Sequence, residues 1–234
     1  MWIKINDNYL RYMKENADNR IPNQDYGKNK YKPFFKLFTI GKLSYVTQIN
    51  HAQPRHNRMN EMQDFHKLKH NGRLVGVVNI NYMFPVLDKH ITEVSETEIR
   101  KIIEGGRDPD KTDTYMQMLA SEEEQITSKN IGYKAQIMYE QHLGNRLDRK
   151  LFDRCLDYSK LEQETLKFEL EQSFTKEELA IHSMNGLFFV DIDQESYTLT
   201  YNDLESVPLL KEVHENGLEL AKDIEITNTN SKTL

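Results

Sequence analysis

The chain has 234 residues, with 31 Lys/Arg against 37 Asp/Glu and a formal net charge of −6. Residues 1–90 hold 15 basic and 7 acidic side chains, a net of +8; residues 91–234 hold the other 16 and 30, a net of −14. With Gly 10, Pro 6 and 38% hydrophobic residues, collagen-like and Gly-rich chains are excluded, and one domain or a domain plus an appendage is expected.

The single cysteine, Cys155, excludes an intrachain disulfide and a Cys-based zinc site. It reads as a small buried residue, not a nucleophile. The opening Met1-Trp2-Ile3-Lys4-Ile5 is too short for a signal h-region, and no window approaches 18 apolar residues. A soluble, cytoplasmic protein without a membrane partner is expected. A basic N-terminal part can still meet a polyanion although the whole chain is acidic.

Trp2–Ile5 alternates weakly and predicts a short strand. Asn8–Asn16 has helical spacing, with Asp7 placed to cap it. Residues 17–32 are polar and punctuated, and predict a loop. Phe34–Ile40 and Leu43–Thr47 predict a hairpin turning at Gly41-Lys42. Residues 50–62 lack a period and predict a loop. Arg73–Val86 predicts one buried strand ending near Pro85. Glu93–Ile103 predicts a helix starting near Ser95 or Thr97, broken by Gly105-Gly106-Arg107-Asp108-Pro109. Helices are expected over 112–128, 131–143 and 157–170. Beyond residue 172 the spacing predicts a capped helix start at Ser173–Glu178, strands at Leu187–Ile192 and Tyr197–Tyr201, a helix at Val207–Ile224, and a flexible tail. The expected division is therefore 1–172, an acidic ββα appendage at 173–226, and a tail at 227–234.

The densest polar cluster is Asn50-His51-Ala52-Gln53-Pro54-Arg55-His56-Asn57-Arg58-Met59. Upstream lies a second basic patch, Lys28, Lys30, Tyr31 and Lys32. If the hairpin folds as read, both patches sit at the ends of adjacent strands and converge. Such a site suits phosphodiester chemistry. Cleaving RNA without a metal needs a base for the 2′-OH proton, an acid for the 5′-oxygen and cations for the charge on phosphorus. His titrates near neutrality, and Lys and Arg supply charge. The same composition also describes a plain solvated basic loop. His66 and His70, four apart, are expected to share a helix face as a surface pair without a metal. Asp108, Asp110 and Asp113 lack the glycine and closing glutamate of a calcium loop.

The order of segments resembles the ToxN/AbiQ-type endoribonucleases, toxins of type III toxin–antitoxin systems, from about residue 3 to 170. The matching pieces are Asn8-Tyr9-Leu10-Arg11-Tyr12, Lys32-Pro33-Phe34-Phe35, and Pro54-Arg55-His56-Asn57-Arg58-Met59, similar to the family's P-K-H-x-x-M. Gly76-Val77-Val78-Asn79-Ile80-Asn81-Tyr82-Met83-Phe84-Pro85 is similar to G-x-I-N-x-x-x-M-I-P. Tyr115–Leu119 and Cys155-Leu156-Asp157-Tyr158 complete the series.

The resemblance implies an α+β fold, with a strongly bent antiparallel sheet related to the Kid/MazF barrel and surrounded by helices. It implies cofactor-free, metal-independent RNA cleavage leaving a 2′,3′-cyclic phosphate and a 5′-OH. The implied partners are a small repeated antitoxin RNA in a closed protein–RNA assembly and cellular or phage RNA substrates, with growth arrest or abortive infection as the outcome.

The chain departs from the family at the site. His51 stands where the family has Ser, and Gln53 where it has the catalytic Lys; the upstream Lys matches Lys32. In one reading His51 takes over proton transfer, with Lys32 and His56 as catalytic partners. Lys28, Lys30, Tyr31, Asn50, Gln53, Arg55 and Arg58 then hold RNA. In the other, the protein is a non-catalytic RNA-binding or phage-sensing module. A third reading, a protein-interaction domain using the acidic C-terminal half, treats the basic loops as incidental.

Overall fold

A computed structural model describes residues 1–24, 32–104, 109–171, 174, 179–184, 187–192, 195–204, 210 and 227–228. The architecture is α+β. An antiparallel sheet is packed with helices and followed by a smaller antiparallel sheet. The first sheet comprises β1 (Trp2–Ile5), β2 (Phe34–Ile40), β3 (Leu43–His51), β4 (Phe65–His70), β5 (Arg73–Asn79), β6 (Phe84–Leu87) and β7 (Ile91–Glu93). The strand order is β4-β5-β3-β2-β1-β7, with β6 also paired to β3.

β3 is the hub because it changes partner along its length. Leu43–Val46 pair with β6, and Ile49–His51 pair with β5. Between β5 and β6 the chain makes a 3-10 turn over Ile80–Tyr82. The single strand expected over 73–86 is therefore two strands. The Asn81 carboxamide donates to the Arg154 carbonyl at 3.1 Å, and the Asn81 carbonyl accepts from Leu156 N–H at 3.0 Å. Those bonds engage the turn with a distant segment in place of the ladder.

β4 was not foreseen. His66 and His70 lie on this strand, not on a helix. Asn71-Gly72 joins β4 to β5 with φ of 49° and 76°, the left-handed pair that a two-residue hairpin turn requires.

The sheet stays open, with β4 and β7 at its edges, so the barrel-like closure expected from the resemblance is not found among the described residues. Side chains satisfy much of the β4 edge. Lys69 N–H donates to Gln125 at 2.7 Å and Lys67 N–H to Glu61 at 2.9 Å, while the Lys129 ammonium donates to the Lys67 carbonyl at 2.8 Å. An edge covered in this way needs no closing strand.

Among the described residues seven helices of at least four residues are found, five of them expected and two additional. They are α1 (Asp7–Asn16), α2 (Pro54–Arg58), α3 (Glu96–Glu104), α4 (Pro109–Ser128), α5 (Ile131–Leu143), α6 (Arg149–Phe152) and α7 (Tyr158–Leu170). The cap of α1 is Asn6, not Asp7: its oxygen accepts from the N–H groups of Asn8 and Tyr9 at 2.9 and 3.2 Å. Ser95 and Glu98 cap α3 reciprocally, at 3.2 Å and 2.9 Å. α2 and α6 are short turns that periodicity does not reveal. Among the described residues no helix is long and apolar enough to cross a membrane.

The main core gathers Ile3, Ile5, Tyr9, Met13, Phe34, Phe84 and Tyr158, all buried. The Tyr9 hydroxyl donates to the Pro85 carbonyl at 2.7 Å and lies 2.8 Å from the Thr165 hydroxyl. That links the sequence motifs around residues 9 and 85 to α7. Cys155 is buried and its thiol is pushed up to about 11, as a packing residue should be.

The second sheet has the order β11-β10-β9-β8, from β8 (Leu179–Met184), β9 (Leu187–Ile192), β10 (Glu195–Thr200) and β11 (Thr227–Asn228). β9 and β10 are the two expected strands, and β8 is an unexpected third. Thr227 and Asn228, expected in the tail, pair with β10. The helix expected over 207–224 lies outside the described residues except Leu210, and the helix start at 173–178 does so except Phe174. This sheet is not separately packed. Phe188, Val190 and Ile192 share a cluster with Leu43, Leu87, Leu166 and Leu170.

Candidate active site

The change of partner along β3 creates a cavity of roughly 350 Å3 lined by Arg20, Pro22, Thr47, Gln48, Asn50, Asn79 and Tyr82. Its position follows from the ladder. β6 pairs up to Val46 and β5 begins at Ile49, so the Thr47–Gln48 backbone faces the 3-10 turn. The Thr47 hydroxyl reaches the Asn79 carbonyl at 3.4 Å. The buried Gln48 carboxamide donates to the carbonyls of Asn23 and Lys32 at 2.9 and 3.0 Å. Gln48 thereby ties the incoming loop to the cavity wall.

Lys32 is partly buried, and burial holds its ammonium below the usual lysine range. Its backbone N–H donates to the Gln24 carbonyl at 3.1 Å, and its carbonyl is the one that Gln48 holds. Arg20 is held at the rim. Its guanidinium pairs with Asp18 at 2.8 Å, donates to the Cys155 carbonyl at 3.2 Å and lies 6.0 Å from the Tyr82 ring centroid. Cation, amides and an aromatic face together are groups that bind phosphate and an unstacked base.

His51 is the last residue of β3 and is exposed. Alternation along the strand sends its side chain to the face opposite Asn50. The expected cluster is thus split by the sheet: Asn50 lines the cavity, with the Lys32 backbone tied to its wall through Gln48, and His51 belongs to the side covered by α4. Gln53, Arg55 and Arg58 are exposed around α2. His56 is buried, and its Nδ1 accepts from the Gln53 N–H at 3.0 Å, closing the first turn of α2. Its ring packs edge-on to Phe65 at 5.7 Å. Burial, Arg55 and Lys67 hold the His56 imidazole below the usual range. Lys28, Lys30 and Tyr31 lie outside the described residues.

Sequence reasoning missed Arg20, Gln48 and Tyr82. Asn79 and Tyr82 sit inside a quoted motif, so the signal was present without its geometry. Arg20 had none, since its place at the rim depends on contacts with the Arg154 and Cys155 carbonyls, 134 and 135 residues away in sequence.

This fold has known counterparts. The family described as toxin ToxN of the type III toxin–antitoxin system matches residues 1–166. The chain belongs to that family. Three solved structures are similar to it. One, from work on a processed non-coding RNA that regulates a bacterial antiviral system, is 20% identical with a TM-score of 0.54, covering 75% of this chain and 99% of that one. A second, from work on selective toxin inhibition by a non-coding RNA pseudoknot in bacterial type III systems, is 19% identical with a TM-score of 0.56, covering 72% and 96%. The third, the lactococcal anti-phage endoribonuclease AbiQ, is 14% identical with a TM-score of 0.53, covering 71% and 96%. A search of curated protein sequences returned no match.

Proposed function

We propose that this toxin is an endoribonuclease that cleaves RNA by attack of the 2′-oxygen on the adjacent phosphorus. The carrying observation is the polar cavity at the β3 partner change, within the segment that matches the ToxN family. In the proposed step RNA seated in the cavity runs past the exposed end of β3, where His51 takes the 2′-OH proton and the O2′–P bond forms. The P–O5′ bond breaks and the 5′-oxygen takes a proton from water. The products are a 2′,3′-cyclic phosphate and a 5′-OH end. Lys32 and Arg55 stabilise charge on the phosphoryl oxygens, and Arg20, Asn50 and Tyr82 seat the strand. His56 keeps α2 formed, because its Nδ1 is committed to the Gln53 amide. Arg58, Gln53, Lys28, Lys30 and Tyr31 extend the RNA surface.

By kinship with the RNA-inhibited relatives, the inhibitor is a repeated non-coding RNA bound in a closed assembly in the cytoplasm. Residues 1–172 carry the chemistry, and the sheet of β8, β9, β10 and β11 supports them. The test is incubation of purified protein with RNA in EDTA, followed by end analysis. Cyclic-phosphate and 5′-OH ends, lost in His51→Ala, support the reading. Intact RNA that is nevertheless bound would overturn it in favour of a non-catalytic binding module.

A further inference from the structure

A second cavity, of roughly 500 Å3, opens between β4 and the corner where α4 meets α5. Its walls include Glu61, Met62, His66, Lys129, Lys134 and Ile137, and it shares no residue with the cavity at the β3 partner change. His66 stands opposite Val78, and Val78 opposite Ile49. Directly opposed residues project from the same face of a sheet. Alternation along β3 puts Gln48 and Asn50 on the other face. The next row on the His66 face, Leu68 and Gly76, is closed by α4. There Glu122, 3% exposed, fills the space left by Gly76, where a Cβ would lie 2.5 Å from its Oε1.

His66 is 5% exposed, and its Nε2 is buried without a hydrogen-bond partner among the described residues. The ring bonds the Gln63 backbone through its other nitrogen. Burial, with Lys134 and Lys129, holds the imidazole below its usual range. The neutral ring therefore offers Nε2 as a bare acceptor, and an unpaired buried acceptor is costly. Glu61 is already engaged: it accepts from the Lys129 ammonium at 3.0 Å and from the Lys67 N–H at 2.9 Å. Lys129 also donates to the Lys67 carbonyl at 2.8 Å, which leaves it one N–H. The exposed Lys134 ammonium has no hydrogen bond or ion pair among the described residues. Two cations against one carboxylate leave the wall with one positive charge.

We propose that this cavity is a second ribonucleotide site, in which His66 Nε2 accepts from a ribose 2′-OH and Lys134 and Lys129 hold the neighbouring 3′-phosphate. A ligand that fits must bring a hydrogen-bond donor beside a single negative charge. An RNA strand carries that pair at every residue, and DNA lacks the donor. Met62 and Ile137 supply an apolar wall for the sugar. The cavity volume is within the range of small-ligand sites. The site does no chemistry: it binds a stretch of RNA away from the one being cut and recognises it as RNA. The proposal rests on the reading of this protein as one that handles RNA.

The test is an NMR titration of the intact protein with uridine 3′-monophosphate, its 2′-deoxy counterpart and inorganic phosphate, none of which can be cleaved. The ribonucleotide should move the His66 ring signals and the Ile137 methyl signals. The deoxy form should bind there about 3- to 10-fold more weakly, the scale of one net hydrogen bond. Lys134→Ala should weaken both nucleotides. His66→Phe, which keeps the ring's bulk, should erase the difference between them as read at Ile137. If His66→Phe does not fold, Lys134→Ala with the ribose comparison in the wild type still decides. Unmoved His66 signals, equal binding of the two nucleotides, or inorganic phosphate binding as tightly as the ribonucleotide overturns the proposal. Shifts at Tyr82 without shifts at His66 would sink this site and leave the cleavage cavity standing. Failure of the protein to cleave RNA would remove the proposed reaction while the His66 shifts remained, so the two failures are distinguishable.

Discussion

The Tyr201 hydroxyl donates to Glu162 Oε2 at 2.9 Å, across the junction between the second sheet and α7. Tyr45 and Tyr139 donate to the other carboxyl oxygen at 2.6 and 2.7 Å. A buried carboxyl with three tyrosyl donors is satisfied only when residue 201 is in place. Tyr201→Phe should therefore cost about 1–3 kcal/mol in urea unfolding, the range for an orphaned buried acceptor. A chain ending at residue 172 should fail to fold alone, because it also loses the apolar partners of Leu43, Leu87, Leu166 and Leu170. A soluble, cooperatively unfolding 1–172 fragment would contradict this.

Two hairpin glycines separate backbone strain from crowding. Gly41 and Gly72 both have positive φ, 53° and 76°. A Cβ at Gly41 would meet the Tyr201 backbone at 2.6 Å, whereas one at Gly72 would meet nothing within 4 Å. Gly72→Ala should cost about 1 kcal/mol for its left-handed backbone alone. Gly41→Ala should cost clearly more, since the Lys42 N–H bond to the Tyr201 carbonyl at 3.0 Å must also shift. Equal losses in parallel denaturant titrations would mean that the contact with Tyr201 carries no energy.

Lys32→Ala and Asn50→Ala should each lower RNA cleavage while far-UV circular dichroism stays unchanged. For Lys32 the expected loss is on the order of 100-fold, the scale of removing one preorganised electrostatic group. Removing that cation should also flatten the fall of RNA affinity with salt by roughly one counterion. Wild-type cleavage by Lys32→Ala would place the chemistry elsewhere.

Glu122 should make stability fall as pH rises. Its folded-state value of about 7 lies above the ordinary carboxyl value of 4.5, so the folded protein holds the extra proton. The stabilisation is complete below 4.5 and is lost as pH rises to 7 and beyond. The change across that window is of order 3 kcal/mol. The buried His56, His66 and His142 titrate below the usual imidazole range and work in the opposite direction. The decisive quantity is therefore the difference between wild type and Glu122→Gln at pH 5 and pH 8. Glu122→Gln should gain relative stability at the higher pH; no change in the difference would contradict the buried carboxyl.

Much of the scaffold was legible in the sequence for local reasons. Gly41-Lys42 between two apolar runs marked the first hairpin, and the long helices announced themselves by period. Misreadings occurred where a local pattern is ambiguous. His66 and His70 share a side on a strand as well as on a helix, and only the Asn71-Gly72 turn decides between them. Val77 to Val86 interrupts its apolar residues only with Asn79 and Asn81, and neither asparagine by type reveals the bend that Asn81 stabilises through Arg154 and Leu156. Of the candidate site, Lys32, Asn50 and His51 were legible as types in a polar run. Their separation onto two faces of β3 was not.

The sequence by itself determined the kind of protein this is. Six short motifs in one order carried the ToxN kinship, and caps, turns and periods carried most of the elements. Those signals are local, each written within a few residues of the backbone it shapes. The tertiary structure alone decided that β3 changes partner and opens the cavity, that Glu122 fills the space left by Gly76, and that Tyr201 completes the Glu162 site. Each of these joins residues dozens or more than a hundred positions apart. It depends on strand register and on which helix face meets the sheet, and neither is encoded in any single stretch of chain.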